Sequence, residues 1–242
     1  MPASRSGTGA APSWWKAGRL KTLKLLLERF PAPPGPACDF GCGEGEALAL
    51  LGELPGVSRA VGVDADVDAV AVCQARGLEV VCGTERCLPE LGPFSLAVAM
   101  DVLEHVEDDT GAARTLFAVL VPGGRLVVSA PAHPWLYSYH DRALGHLRRY
   151  SRRDLAALLA ASGFEVEFLG WQCLAGFAAA PFVRALRSLA GADTADDGFA
   201  AKPPAPAQRL LSKWSLWEAG LAAAGRIPVG LTLWAVATKP RP

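Results

Sequence analysis

The chain has 242 residues, about half of them apolar and a fifth charged, which suffices for one large domain with a sizeable core. Its 24 basic and 24 acidic residues cancel, and this balance argues against non-specific nucleic-acid binding, which needs a basic surface. Six cysteines with no C-x-x-C pair argue against a disulfide framework and read as reduced, mostly buried thiols of a cytoplasmic protein.

Residues 1–13 are rich in Gly, Ala, Ser and Pro, lack the apolar core of a secretory signal, and read as a disordered tail. Trp14 to Phe30 reads as an amphipathic helix. Leu20, Leu23, Leu26, Leu27 and Phe30 fall at helical spacing, and Lys16, Arg19, Lys21 and Lys24 give a basic face. Three uses of this helix are open: packing on the domain edge, a lid over a site, or contact with a membrane surface.

After the Pro-rich break at 31–36, apolar runs alternate with helical ones. Strands are predicted at 37–41, 59–64, 78–82, 95–100 and 125–129, and helices at 46–53, 67–76 and 109–120. Continuous apolar strands separated by helices indicate a parallel sheet covered on both faces. Ser151-x-x-Asp154 opens a helix to Ala161 in the manner of a capping box, and the Ser162-Gly163 stop leads into strand six at 164–169. The last strand is predicted at 229–238. Before it lies a helical insertion, 171–226, with helices at 174–189 and 208–224 around a loose Ala/Asp/Pro-rich stretch at 191–207. In the second helix Leu210, Trp214, Trp217 and Leu221 share one face. The uncharged run Leu169 to Val183 is too short to span a membrane comfortably and is broken by Gly176 and Pro181. A cap over a hydrophobic acceptor, a subunit interface, a peripheral membrane contact and an ordinary packed helix pair all fit the insertion.

The chain is organised around Asp39-Phe40-Gly41-Cys42-Gly43-Glu44-Gly45. A strand ends, a glycine turn follows and a helix begins, which is where an open α/β sheet binds nucleotide-like ligands. The glycines run G-x-G-x-G, not the dinucleotide G-x-G-x-x-G. Asp39 and Glu44 flank them, and two carboxylates repel a pyrophosphate but attract a ligand carrying an ammonium and a sulfonium. Asp64 ends strand two, where a carboxylate accepts hydrogen bonds from a ribose diol in both NAD and S-adenosylmethionine (SAM) enzymes.

The loop resembles the glycine-rich motif of class I SAM-dependent methyltransferases. Asp64, then Gly83-Thr84-Glu85 with Leu88-Pro89, then Met100-Asp101-Val102-Leu103-Glu104-His105-Val106, then Val121-Pro122-Gly123-Gly124-Arg125-Leu126 extend the resemblance in order over 36–170. Thr84 stands where the family often has Asp, and so does Ser95. The run through Arg149-Tyr150-Ser151 is similar to a ubiquinone-biosynthesis-like subgroup. The resemblance implies a Rossmann-like, doubly wound seven-stranded sheet, mostly parallel, whose last strand inserts antiparallel into the sheet edge. It implies one methyltransferase domain over 14–242, with the last strand in 227–242, and SAM as cofactor. It places Asp39 near the methionine amine, Gly41, Cys42, Gly43 and Gly45 against the cofactor, and Asp64 and Ala65 at the ribose. Thr84 and Glu85 then lie near adenine, and Met100 and Asp101 on the floor of the site. The glycine spacing and Glu44 argue against an NAD(P)-dependent oxidoreductase. A non-catalytic SAM-binding or membrane-docking module with the same fold stays open.

Pro131 to Tyr150 holds three of the four histidines, and in such a sheet this loop faces the crevice. His140, Asp141 and His146 are candidates for a general base toward a hydroxyl or amine acceptor. Their spacing matches no closed zinc pattern, so no metal is expected. A loop stapled by aromatic and histidine hydrogen bonds is the structural alternative. Arg148, Arg149, Arg152 and Arg153 suit an anionic acceptor group or a solvated helix start. The expected partner is a small molecule, hydrophobic or anionic, and no nucleic acid.

Overall fold

The computed structural model describes residues 13–178 and 205–242. The predicted tail up to residue 12, the helix beyond 178 and the loose stretch up to 204 lie outside them. Helix α1 (Ser13–Arg29) leads into β1 (Gly35–Phe40), α2 (Glu46–Gly52), β2 (Val57–Asp64), α3 (Val67–Ala75) and β3 (Val80–Cys82). Then follow α4 (Leu88–Leu91), β4 (Phe94–Met100), α5 (Asp109–Val119) and β5 (Leu120–Pro131). The chain ends with α6 (Tyr139–Leu144), α7 (Arg152–Ala161), β6 (Glu165–Gln172), α8 (Ala205–Ala223) and β7 (Thr232–Thr238).

The seven strands run β3-β2-β1-β4-β5-β7-β6. Strands β1 to β5 pair in parallel, and β7 is antiparallel to both β5 and β6. The last strand therefore inserts antiparallel into the edge of the sheet, as the resemblance implied, between β5 and β6, and β6 takes the outermost position. Burial explains the order. Leu233 to Ala237 are all buried, so β7 needs neighbours on both sides. Strand β6 exposes Glu165 and Glu167, as an edge strand can.

One face of the sheet packs on α5 and α7 through Leu116, Leu155 and Leu159. The other face packs on α1 and the end of α8, where Leu23, Leu26 and Ala223 meet Trp234. Buried Trp234 donates its Nε1–H to Gln172 Oε1 at 2.7 Å. Helix α8 turns its small face inward: Ser215, Ala219, Ala222 and Ala223 are buried, while Leu210, Trp214 and Trp217 are exposed. The predicted Trp face is thus the outer one. Close approach of α1 selects the small residues, since Gly18 of α1 sits directly on Ser215. A Cβ at Gly18 would fall 2.9 Å from Ser215 Cβ and 3.1 Å from its carbonyl oxygen. Gly18→Ala is expected to cost about 1–3 kcal/mol in urea unfolding, because overpacking outweighs the helix preference of Ala.

Candidate active site

The parallel order places the ends of β1, β2, β4 and β5 side by side. Asp39 pairs in register with Gly62 on one side and Val98 on the other, and Met100 with Ser129. Every predicted cofactor residue lies on or just beyond these strands or in the turn after β3.

The three glycines of the loop do different things. Gly41 packs under Val102, whose Cγ2 would lie 2.3 Å from an added Cβ. Gly45 packs against Leu78 and Cys73. Only Gly43 would carry its Cβ into open space, at φ 52°, so it is the glycine past which a ligand can lie closely. Cys42 turns its side chain into a small core with Leu48 and Cys73. Its N–H is bound to Val63 O and its carbonyl to Gly45 N, so the backbone of Cys42 is spent on the turn. Asp64 holds the loop. Its Oδ2 accepts the Gly43 N–H at 2.7 Å and its Oδ1 the Asp66 N–H at 2.9 Å. Ala65 follows on the exposed surface, and Asp66 caps α3.

Asp39 lies beneath this loop, 1% exposed. The Leu48 N–H steadies the carboxylate, but Oδ2 has no hydrogen-bond partner among the described residues. Burial first, and then the charge of Asp64, push its pKa up to about 7. A buried oxygen with no partner among the described residues, where β1 runs into a loop with an open Gly43, fits a cationic ligand head. Thr84 and Glu85 sit in the turn after β3, Thr84 exposed and Glu85 half-buried. Met100 packs partly on the α1 side of the core. Asp101 follows at φ 53°, its N–H bound to Ser129 O at 2.9 Å.

Helix α1 reaches over the same strand ends. Lys16 pairs with Glu44 at 3.3 Å and with Glu46 at 2.7 Å. One turn on, buried Arg19 pairs with Asp101 and donates to Ser129 Oγ. Its guanidinium lies 5.8 Å from the Trp15 ring and 5.6 Å from the Trp234 ring. The sequence shows Arg19 only as one cation of a basic face; neither tryptophan is visible as its neighbour there. Arg19→Met is expected to cost about 2–3 kcal/mol in urea unfolding, since it strands Asp101, and Arg19→Met with Asp101→Asn is expected to recover much of that.

After β5, His133 stacks on Trp171 at 4.9 Å and bonds Gly230 O at 3.1 Å through Nε2; burial holds its pKa below the usual histidine value. The following residues form a capping box on Ser138 and Asp141 that starts α6, too short to show as periodicity. Asp141 is fully buried and accepts from His146 Nδ1 at 3.0 Å, Arg149 Nε at 2.7 Å and Ser138 N at 2.8 Å. Although burial opposes ionisation, these donors hold its carboxyl below the usual carboxylate range. Arg149 is thereby a local partner of Asp141, and Arg148 pairs with Asp109 at 2.8 Å. Arg152 and Arg153 open α7 on its exposed side. His140 sits in α6, half-buried. His146, by contrast, meets His105 edge to face at 4.8 Å.

Glu104, which is not among the site residues expected from the sequence, completes this corner. It is fully buried, with neither carboxylate oxygen hydrogen-bonded among the described residues. Burial and the charge of Asp101 raise its pKa well above the carboxylate range. The signal lay within Leu103-Glu104-His105, a motif read as a mark of the fold and not as chemistry.

A glycine turn over a buried acid, a second acid at the end of β2 and a seven-stranded sheet with an inserted antiparallel strand define a SAM-binding domain of the class I methyltransferase fold. A family described as methyltransferase domain matches residues 15–168, and the chain belongs to that family. A probable S-adenosylmethionine-dependent methyltransferase of Mycolicibacterium smegmatis is 33% identical over 135 residues, which is 53% of this chain and 51% of that protein. A ubiquinone biosynthesis O-methyltransferase of Xanthomonas axonopodis pv. citri is 32% identical over 139 residues, 49% of this chain and 56% of that protein. The chain thus spans about half the length of these relatives. Among solved structures, a SAM-dependent methyltransferase of Mesorhizobium loti superposes with a TM-score of 0.58 at 18% identity, covering 90% of this chain and 97% of that one. The N-methyltransferase NodS of Bradyrhizobium japonicum, solved with S-adenosylhomocysteine, gives 0.57 at 15% identity, covering 95% of this chain and 89% of that one. No helix of the described residues is long and apolar enough to cross a membrane.

Proposed function

We propose that this chain transfers a methyl group from SAM to an oxygen or nitrogen of a small-molecule acceptor with an apolar body. The observation that carries the reading is Asp39: a buried carboxylate with one oxygen that has no partner among the described residues, at the end of β1 where the loop with the open Gly43 begins. SAM, when bound, supplies a methyl group made electrophilic by its sulfonium. Asp39 would hold the amine end, Gly43 would let the backbone lie close, and Asp64 would take the ribose hydroxyls. Thr84 and Glu85 would flank the adenine. Asp101 would form the floor, and Arg19 holds Asp101 in place from α1. Much of the rate then comes from holding donor and acceptor in line and close.

The acceptor's proton falls to the corner beside Asp101. Asp141 is a positioning residue, since its oxygens are spent on His146, Arg149 and Ser138. His146, with Glu104 and His105, is the part of that corner placed to deal with an acceptor hydroxyl or amine. Trp135 and Tyr139, exposed in the loop after β5, with exposed Trp214, Trp217 and Leu210 on α8, support an apolar or lipid-like acceptor taken up at a membrane surface. The match to a ubiquinone biosynthesis O-methyltransferase supports the same choice.

Calorimetry with SAM, S-adenosylhomocysteine and NAD tests the cofactor; binding of NAD alone overturns the reading. Release of S-adenosylhomocysteine over a panel of phenols, alcohols and amines, with and without lipid vesicles, tests the acceptor. Turnover restricted to charged, lipid-free amines would remove the apolar assignment.

A further inference from the structure

We propose that Glu104, His105 and His146 form a binding site for a divalent transition-metal cation beside Asp101. One ligand atom from each residue lies within 4.8 Å of the others. A cation with bonds of about 2.0–2.2 Å sets its ligands roughly 3–3.5 Å apart, so small side-chain rotations close the site.

Two observations point at a cation and not at a merely polar corner. The first is Glu104, whose two buried oxygens meet no hydrogen-bond donor among the described residues. A buried carboxylate left so is costly unless a positive group meets it. The second is the tautomer of both rings. His105 Nδ1 faces the Gly145 carbonyl at 3.0 Å, and His146 Nδ1 faces Asp141 Oδ1 at 3.0 Å. Acceptors at Nδ1 fix the proton there and give Nε2 the lone pair, as metal-bound imidazoles require. Asp141 is itself anchored by Arg149 and Ser138, which completes a carboxylate–histidine support.

The segments carrying the ligands are tied together by the Leu147 N–H to the Glu104 carbonyl at 2.7 Å. Two imidazoles and one carboxylate select Zn²⁺, Co²⁺, Mn²⁺ or Fe²⁺ over Mg²⁺ and Ca²⁺, which prefer oxygen-only shells. Three protein ligands leave a position open. An acceptor hydroxyl coordinated there would have its pKa lowered and lose its proton to water. That use rests on the methyltransferase reading; the cation site does not. The site revises the expectation of no metal: the fold, and not a local spacing, brings His146 to Glu104 and His105.

The test uses the whole chain, stripped with chelator and titrated with Co²⁺ while visible absorption is followed. One equivalent is expected to bind with micromolar or tighter affinity, without a thiolate charge-transfer band. Glu104→Gln and His146→Gln should each weaken it at least tenfold with near-ultraviolet circular dichroism retained, and Cys82→Ser, which removes an exposed thiol, should not. If Glu104→Gln fails to fold, His105→Gln takes its place. No cobalt band up to millimolar Co²⁺, a thiolate band, or equal affinity in folded ligand variants overturns the site. Cobalt bound by a chain that fails to bind SAM supports the site and overturns the methyltransferase reading.

Discussion

Asp64→Ala is expected to weaken SAM binding at least a hundredfold, or about 3 kcal/mol, in calorimetry. The size follows from two tasks performed by one carboxylate. Oδ2 takes the N–H of Gly43 and Oδ1 that of Asp66, so Asp64 fixes the loop glycine open to the ligand and also holds the backbone of Asp66, the residue that caps α3. Hydrogen bonds to a charged acceptor contribute about 1.5–3 kcal/mol each. Each oxygen keeps a further lone pair, enough for the two hydroxyls of a ribose. Alanine removes the anchor and the acceptor together. Asn, with one carbonyl oxygen, can keep the Gly43 bond but not both, so Asp64→Asn should fall between. A SAM affinity unchanged in Asp64→Ala would mean that the loop holds its shape unaided and that the ribose lies elsewhere.

The alternation of strands and helices was legible because a strand buried on both faces writes its own signature, as Ser95 to Met100 does. The glycine loop was legible because charge and spacing act locally. What escaped depends on contacts between distant segments. Cys42 looked like a lining residue, but only the packing of α3 on the loop shows its thiol facing Cys73. Periodicity puts Leu210, Trp214 and Trp217 on one face of a helix but does not say which way that face turns. The inner face is the small one, because Gly18 brings α1 so close that bulk cannot fit. Arg19 has the same helical environment as Lys16 and differs from it only in the tryptophans and strand ends it meets. Glu104 sits in a sequence that reads as apolar strand and turn, and its burial without a partner is a tertiary fact.

Asp39→Asn is expected to do two opposite things: stabilise the ligand-free chain at pH 8 and weaken SAM binding there at least thirtyfold. The sign follows from where the proton sits. Burial and Asp64 raise the Asp39 pKa from 3.8 to about 7 in the folded chain. The folded chain therefore keeps a proton that the unfolded chain releases near pH 4. The contribution of Asp39 to stability is full below that pH, declines as pH rises, and is lost as pH passes about 7. Asn is close to isosteric and uncharged, so it escapes the decline. Above pH 7 the variant should exceed the wild type by roughly 2–4 kcal/mol in urea unfolding, and by much less at pH 4. An ammonium group needs the ionised carboxylate. SAM affinity of the wild type should therefore rise with pH through about 7, with proton release on binding below that, and the variant should lack this rise. Unfolding at pH 4, 6 and 8 and calorimetry in buffers of different ionisation enthalpy measure both halves. Equal SAM affinity of the two proteins at pH 8 would remove Asp39 from the cofactor site. Parallel stability profiles would mean that the carboxylate is ionised in the ligand-free chain and has a partner other than the cofactor. The same carboxylate that costs the empty chain stability at neutral pH is thus the group that a cationic ligand repays, which makes cofactor binding and folding stability depend on one proton.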